Sequence, residues 1–286
     1  MAIIGAVAGR PLLAIDGDNV AHRAFHALPD SIKGAGGQPA NMLLGFANML
    51  VSAWEAEQPR TVFVAFDSVG EPTYRHELLA SYQEGRDFPP HLMAQLEQLP
   101  EFVEALGFSW AKAAGYEADD FLAAAVMAEE ERDGSAVVLT NDRDLFQLAS
   151  QRTTILKPRG KGEFDRIGPA EVRQVYGVDP EQVPEFVALR GDPSDGIPGA
   201  KGVGAGRAAT ILKQYETLDA AVEAGLFPRQ EQELRQYVRI TRLQYHAPIP
   251  ELSDAQPNWA GAAEVAKRWG LGALTGRLEE RAGSRN

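Results

Sequence analysis

Carboxylates recur in this chain at positions where chemistry is usually done. Three short apolar runs each stop at an aspartate: LLAID at Asp16, TVFVAFD at Asp67 and AVVLTND at Asp142. Around them the acids fall into groups: Asp16 with Asp18; Asp67; Glu117 with Asp119 and Asp120; Asp142 with Asp144; Asp192 with Asp195. Carboxylates gathered at close range repel one another by several kcal/mol at moderate dielectric. A fold that gathers them therefore implies cations between them. Hard divalent ions, Mg²⁺ or Mn²⁺, prefer such oxygen ligands. Two of them about 4 Å apart activate water and stabilise the leaving oxygen of a phosphodiester.

Each group also has a purely structural reading. Asp119 and Asp120 fit the start of a helix, where acids cap and complement the dipole. Asp144 fits the cap of a short helix, and GDPSDG has the composition of a turn. Taken together, one residue type at every rim position favours the metal site.

The elements that must position these acids follow from periodicity. The three runs are rich in Val, Ile, Leu and Phe and are bounded by turn or helix signals, as buried parallel strands are. In open α/β sheets ligands bind beyond the carboxyl ends of the strands, so the three aspartates should converge. Helical spacing fits 39–57 and 91–106, and FSWAKA is a further strand candidate. GYEADDFLAAAVMAEEE reads as a helix with acids at its start, and DLFQLAS as a short one. TTILKP and GEFDRI read as paired strands around the turn RGKG. Residues 68–91, with Arg75, His76, Tyr82, Arg86 and Pro89–Pro90, have weak periodicity and suit a lid. From 169 onward the pattern is helical, which sets an expected subdomain boundary near 168–180. After 276 the polar text suggests a frayed tail.

A second feature is GIPGAKGVGAGRAATIL, from Gly196 to Leu212. Gly202, Val203 and Gly204 lead straight into a helix of small and apolar residues. Such a loop exposes backbone N–H groups at a helix N-terminus, where a phosphate can sit. Lys201, Arg207 and Lys213 add positive charge. Contact of this kind positions nucleic acid without reading its sequence. The string also fits an ordinary helical hairpin, and no P-loop is present.

Bulk properties narrow the classes. The chain has 286 residues, 44% hydrophobic and 24% charged, with no cysteine and a formal net charge of −12. Disulfides, thiolate metal sites and cysteine nucleophiles are thereby excluded. The net charge argues against nucleic acid only if the acids are not cancelled by bound cations. No run approaches the ~20 apolar residues of a membrane span, and MAIIGAVAGRP lacks the basic start of a secretory signal. A cytoplasmic protein with no membrane partner is expected.

Five strings, AIDGDNVAHRAFHALP, VAFDSVGEPTYRHELLASYQEGR, GYEADDFLAAAV, LTNDRDLFQL and GDPSDGIPGAKGVGAGRAATIL, occur in an order that resembles the 5′ nuclease family over roughly residues 11–215. That family comprises the 5′→3′ exonuclease domain of bacterial DNA polymerase I, phage 5′ nucleases and flap endonucleases. No polymerase-like sequence follows, so a freestanding, monomeric member is expected. The resemblance implies an α/β fold: a mainly parallel central sheet flanked by helices, an arch over the site and a C-terminal helix–three-turn–helix element. It divides the chain into a nuclease core, 1–168, with the arch at about 68–91, and a helical DNA-binding subdomain, 169–286, with the helix–three-turn–helix at about 185–215.

By motif match, Asp16, Asp67, Glu117 and Asp119 serve a first metal and Asp142, Asp144, Asp192 and Asp195 a second, with Asp120 behind them. The resemblance gives Arg23 a place near the scissile phosphate, where Arg86 or Arg75 could also supply positive charge; Arg75, Gln83, Lys201, Gly202, Gly204, Arg207 and Lys213 are the candidate DNA contacts. It implies a potassium ion at the glycine hairpin. The implied substrate is DNA with a 5′ flap or free 5′ end, cut near the junction to leave a 5′-phosphate, in replication or repair at the nucleoid. Phe25 and His26 fall where unpaired bases could stack, Phe25 fitting the core equally well.

Three positions depart from the family pattern: Gln83 stands where bacterial members carry a lysine, Asp18 where a neutral residue is usual, and Gly196 where Asn is usual. An amide cannot supply a lysine's transition-state charge stabilisation. Two rival readings follow. One is a DNA-structure-binding protein that cuts poorly. The other is a haloacid-dehalogenase-type phosphatase, since IDGDNV fits DxDx[TV]; that reading requires the late motif GDPSD to follow a strand and leaves Glu117, Asp119 and the glycine hairpin unused.

Overall fold

The computed structural model describes residues 9–84, 88–160 and 162–284. Six strands form one sheet in the order β3-β2-β1-β4-β5-β6. They are β1 (Leu12–Asp16), β2 (Thr61–Ala65), β3 (Ser109–Ala111), β4 (Ala136–Leu139), β5 (Thr153–Gly160) and β6 (Glu163–Ile167). All neighbours are parallel except β5 and β6, which form an antiparallel hairpin. The expected mainly parallel α/β architecture is what forms. β1 lies between β2 and β4, so the three aspartate-terminated runs occupy adjacent strands.

The period-two alternation of buried strands divides the core into two layers. Leu12, Ala14, Phe63, Ala65 and Val138 face one side, packing with the helix Ala118–Glu131 and the helices from Val172 to Ile240. Leu13, Ile15, Val62, Val64 and Leu139 face the other, packing with the helices Gly17–Ala27 and Asn41–Glu57 and with the C-terminal pair Trp259–Arg268 and Gly272–Gly283. Both faces of a parallel sheet are thereby covered, as its apolar runs require.

Several expectations change. The helix expected over 91–106 is two, Pro90–Leu96 and Leu99–Ala105, because Pro100 lacks an N–H and starts a new helix. DLFQL is a 3₁₀ turn, Asp144–Leu148. β2 and β4 end short of Asp67 and Asp142, so these acids sit on the loops that follow. The expected loose tail is instead the helix Gly272–Gly283. Leu274 and Leu278 are buried there, and Arg281 pairs with Glu55. With Trp259 edge-on to Trp54 and Trp269 stacked on Phe102, the C-terminal pair belongs to the sheet's second layer. It is not part of the helical group that follows Pro169.

Candidate active site

β1, β2 and β4 deliver their loops to one rim, and beyond it lies a cavity of about 990 Å³. Asp16, Asp67, Glu117, Asp119, Asp142, Asp144 and Asp195 line it, together with Asp18. Residues more than a hundred positions apart in the chain therefore converge, as the strand-end argument requires. Gly17 permits part of this: a Cβ there would lie 2.5 Å from the Phe66 ring and 2.7 Å from Ala65 O.

The acids are held by directed hydrogen bonds. Asn19 N–H and the Thr140 hydroxyl donate to the two oxygens of Asp16 at 3.1 and 2.7 Å. The same Thr140 oxygen accepts from Asp142 N–H at 2.9 Å, and Asp142 Oδ1 accepts from Asp144 N–H at 2.8 Å. Ala118 N–H donates to Asp67 Oδ1 at 2.7 Å, and Asp67 N–H donates to Asp18 Oδ2 at 2.7 Å. Glu117 accepts from the Thr73 and Tyr82 hydroxyls, both at 3.1 Å.

Burial and mutual repulsion act against ionisation here. Asp16 is pushed up to about 7, chiefly by burial and then by the charges of Asp142 and Asp67; the bonds from Thr140 and Asn19 oppose this. Glu117 is pushed up to about 7 by burial, with Arg75 opposing and Asp67 and Asp120 adding to the rise. Burial also raises Asp18, Asp119 and Asp144 well above the ordinary range, and neighbouring aspartates add to it.

Such a donor set suits a hard divalent ion: all oxygen, strongly anionic, and costly to ionise without a counter-charge. Among the described residues, no group of three His, Asp or Glu side chains is already closed into a metal-binding shell. The carboxylates surround the cavity rather than meet at a point.

Other expected site residues lie elsewhere or do other work. Asp120 is fully buried and forms a fork with Arg75, its oxygens 2.9 and 2.8 Å from the two terminal nitrogens. It also accepts from the backbone N–H groups of Glu117 and Gln244. Arg75 is 2% exposed and donates in addition to Ile240 O at 3.0 Å. The DNA contact expected of Arg75 is thus replaced by an internal one: this arginine ties the segment after β2 to the acidic helix Ala118–Glu131 and to the helix Glu231–Thr241. Asp192 is not among the residues lining the cavity. One of its oxygens pairs with Arg190 at 3.0 Å, and the other accepts from the N–H and hydroxyl of Ser194. Arg23 is half-buried and is not among the lining residues, although its neighbour His22 is. Arg86 lies outside the described residues.

The glycine hairpin forms a separate surface. Helices Val183–Arg190 and Ala205–Tyr215 flank it, with Gly204 at the N-cap of the second. Gly191 and Gly199 pack back to back: a Cβ on Gly199 would lie 2.5 Å from Gly191 N. Around Gly202, Gly204 and Gly206, by contrast, no atom lies within 4 Å of where a Cβ would stand. Lys201 and Arg207 are exposed at this open turn, Arg207 Nη1 donating to Gly202 O at 3.5 Å, and Lys213 is exposed in the last turn of the helix that follows.

Sequence reasoning missed the residues that hold the acids: Asn19, Thr73, Tyr82 and Thr140. Only Thr140 left a local signal, a hydroxyl at a strand end two residues before Asp142.

Comparison with known proteins places the chain. Residues 11–177 match the N-terminal resolvase-like domain of the 5′-3′ exonucleases, and residues 178–248 match their C-terminal SAM fold. The chain belongs to the 5′-3′ exonuclease family. It is 40% identical over 215 residues to DNA polymerase I of Mycobacterium leprae, covering 74% of this chain and 24% of that one. It is also 40% identical over 216 residues to the thermostable DNA polymerase I of Thermus thermophilus, covering 74% and 25%. The chain thus matches about a quarter of the length of these relatives. Among solved structures it is similar to a phage T5 5′-exonuclease with bound zinc (TM-score 0.71, 19% identity, 96% of this chain and 100% of that). It is also similar to the catalytic core of Rad2 in complex with DNA (TM-score 0.59, 16% identity, 94% and 93%).

Proposed function

We propose that this protein is a metal-dependent, structure-specific 5′ nuclease that hydrolyses DNA phosphodiesters where a 5′ flap or free 5′ end meets duplex. The observation that carries this reading is the ring of carboxylates around one cavity, in a chain of the 5′-3′ exonuclease family. Two divalent ions, Mg²⁺ or Mn²⁺, would supply Lewis acidity and an activated water. Asp16, Asp67, Glu117 and Asp119 would hold one, and Asp142, Asp144 and Asp195 the other. Asp192 would first have to leave Arg190 and Ser194. Zinc and other metal ions in the T5 relatives support a divalent site.

The chain's own residues do the rest. The hydroxyls of Thr140, Thr73 and Tyr82 and the backbone N–H groups of Asn19 and Ala118 orient the carboxylates. Arg75 and Asp120 brace the acidic helix from behind. Arg23 and Arg86 are the cations proposed to meet the scissile phosphate. Lys201, Gly202, Gly204, Arg207 and Lys213 form the proposed duplex grip, with a potassium ion at the hairpin. On this reading 1–168 is the cutting core, and the helices from 169 to about 248 grip the duplex. The protein acts as a monomer in the bacterial cytoplasm.

Three outcomes separate the readings when the protein is given a 5′-flap duplex with Mn²⁺ and, in parallel, a small phosphate ester. Flap cleavage alone supports the nuclease. Ester hydrolysis alone supports the phosphatase, although GDPSD follows the helix Val183–Arg190 rather than a strand. A gel shift without cleavage supports a binding protein.

A further inference from the structure

The turn Ser81–Glu84 stands between the two groups of acids and touches both. Gln83 Nε2 donates to the Tyr82 hydroxyl at 2.9 Å and to Asp195 Oδ1 at 3.3 Å. Tyr82 passes the contact on, donating to Glu117 Oε2 at 3.1 Å. Gln83 N–H also points at Asp195 O, 3.4 Å away. One primary amide, with two N–H groups, thus spans from the Glu117 side of the cavity to the Asp195 side.

Two backbone features make this possible. Gln83 has φ 52, a left-handed conformation that side chains other than glycine rarely adopt. Gly196, beside Asp195, has φ 71, and a Cβ on it would lie 2.7 Å from Ser81 O. Any side chain at 196 would push the turn off the Asp195 loop. Strain at Gln83 and bare backbone at Gly196 therefore serve the same approach. An outlier held by such surroundings is a reason to look for a role.

We propose that the turn Ser81–Glu84 is a clasp: Gln83 is a positioning residue that holds Asp195 and, through Tyr82, Glu117, at the separation two divalent ions require, and Gly196 is the site that lets it dock. The amide does this without adding charge, so it orders the acids without competing with a cation for them. The proposal rests on the two-metal reading above.

Mn²⁺ binding to the full chain without DNA, followed by electron paramagnetic resonance of the free ion, tests it. Gln83→Leu removes both donors at similar size. It should weaken Mn²⁺ binding roughly tenfold, the loss of a hydrogen bond to a charged group. Turnover at saturating flap DNA should fall with it, while KM for DNA stays unchanged. Gly196→Ala should do the same through the backbone. The double variant should be no worse than either single one, because both remove one contact. Fully additive losses, or a folded Gln83→Leu protein that binds Mn²⁺ like the wild type, overturn the clasp. If Gly196→Ala does not fold by circular dichroism, Gln83→Leu decides alone. A wild type that binds Mn²⁺ yet leaves the flap intact sinks the nuclease reading and leaves the clasp standing.

Discussion

The acid-lined cavity and the glycine hairpin solve opposite problems. In the cavity Asp16, Asp18, Asp67, Glu117, Asp142 and Asp195 each accept from a named donor, from Thr140 on Asp16 to Ala118 N–H on Asp67. At the hairpin, Gly202, Gly204 and Gly206 have nothing within 4 Å of a would-be Cβ. Chemistry at a phosphodiester needs ligands fixed to fractions of an ångström. Holding a duplex needs accessible N–H groups and mobile cations that follow a backbone. The molecule spends its hydrogen bonds on orienting the acids of the first region; in the second they hold the turn itself, as Gln230 does on Lys201 N–H, and open space is left beside the glycines. Arg75 illustrates the division: a cation in the segment after β2, it is bound to Asp120 and is not offered to DNA.

The sharpest way to break this contrast is to remove one charge from the cavity. Asp67→Asn or Asp142→Asn should lower single-turnover flap cleavage by about a hundredfold or more, with the DNA dissociation constant within about twofold of wild type. Equal losses in cleavage and affinity would mean the two regions do not divide the work.

A second effect concerns metal-free protein. Asp16 and Glu117, raised to about 7 in the folded chain from 3.8 and 4.5, bind protons more tightly folded than unfolded. The stability this contributes is complete below the unfolded values and is lost as pH rises through 7. With chelator present, the melting temperature should therefore drop by about five degrees or more between pH 5 and pH 8. Mn²⁺ should restore it at pH 8. A flat profile measured by differential scanning fluorimetry would show that the carboxylates do not crowd one another.

The smallest effect belongs to the hairpin. Lys201→Ala or Arg207→Ala should weaken duplex binding a few-fold and reduce the slope of log affinity against log salt by about one, with cleavage at saturating DNA unchanged. An unchanged slope by fluorescence anisotropy would remove the hairpin from the DNA path.

How much was legible beforehand differs between the regions in the same way. The hairpin is local: Gly202, Gly204 and the basic residues lie within a dozen positions, and their spacing already states what backbone they expose. The strand-end aspartates were legible because apolar runs announce parallel strands, and parallel strands share an end. The fates of Asp120, Arg75 and Asp192 were not. Asp120 and Arg75 are settled by partners far along the chain: Asp120 by Arg75 and the backbone of Gln244, and Arg75 by Ile240 O. Asp192 is settled by neighbours two residues away, Arg190 and Ser194, through a turn geometry that residue types alone do not state. The text after 276 does not announce the helix Gly272–Gly283, because its few apolar residues gain their value only against the helices Trp259–Arg268 and Asn41–Glu57.

From the sequence alone came the kinds of residue, their order, and the strands and helices that carry them, because periodicity and turn chemistry act over a few residues. Which carboxylates face a common space, which are tied off by a guanidinium, and how Gln83 reaches across to Asp195 were decided only when distant segments packed. Those outcomes depend on distances of a few ångströms between atoms that no local pattern relates.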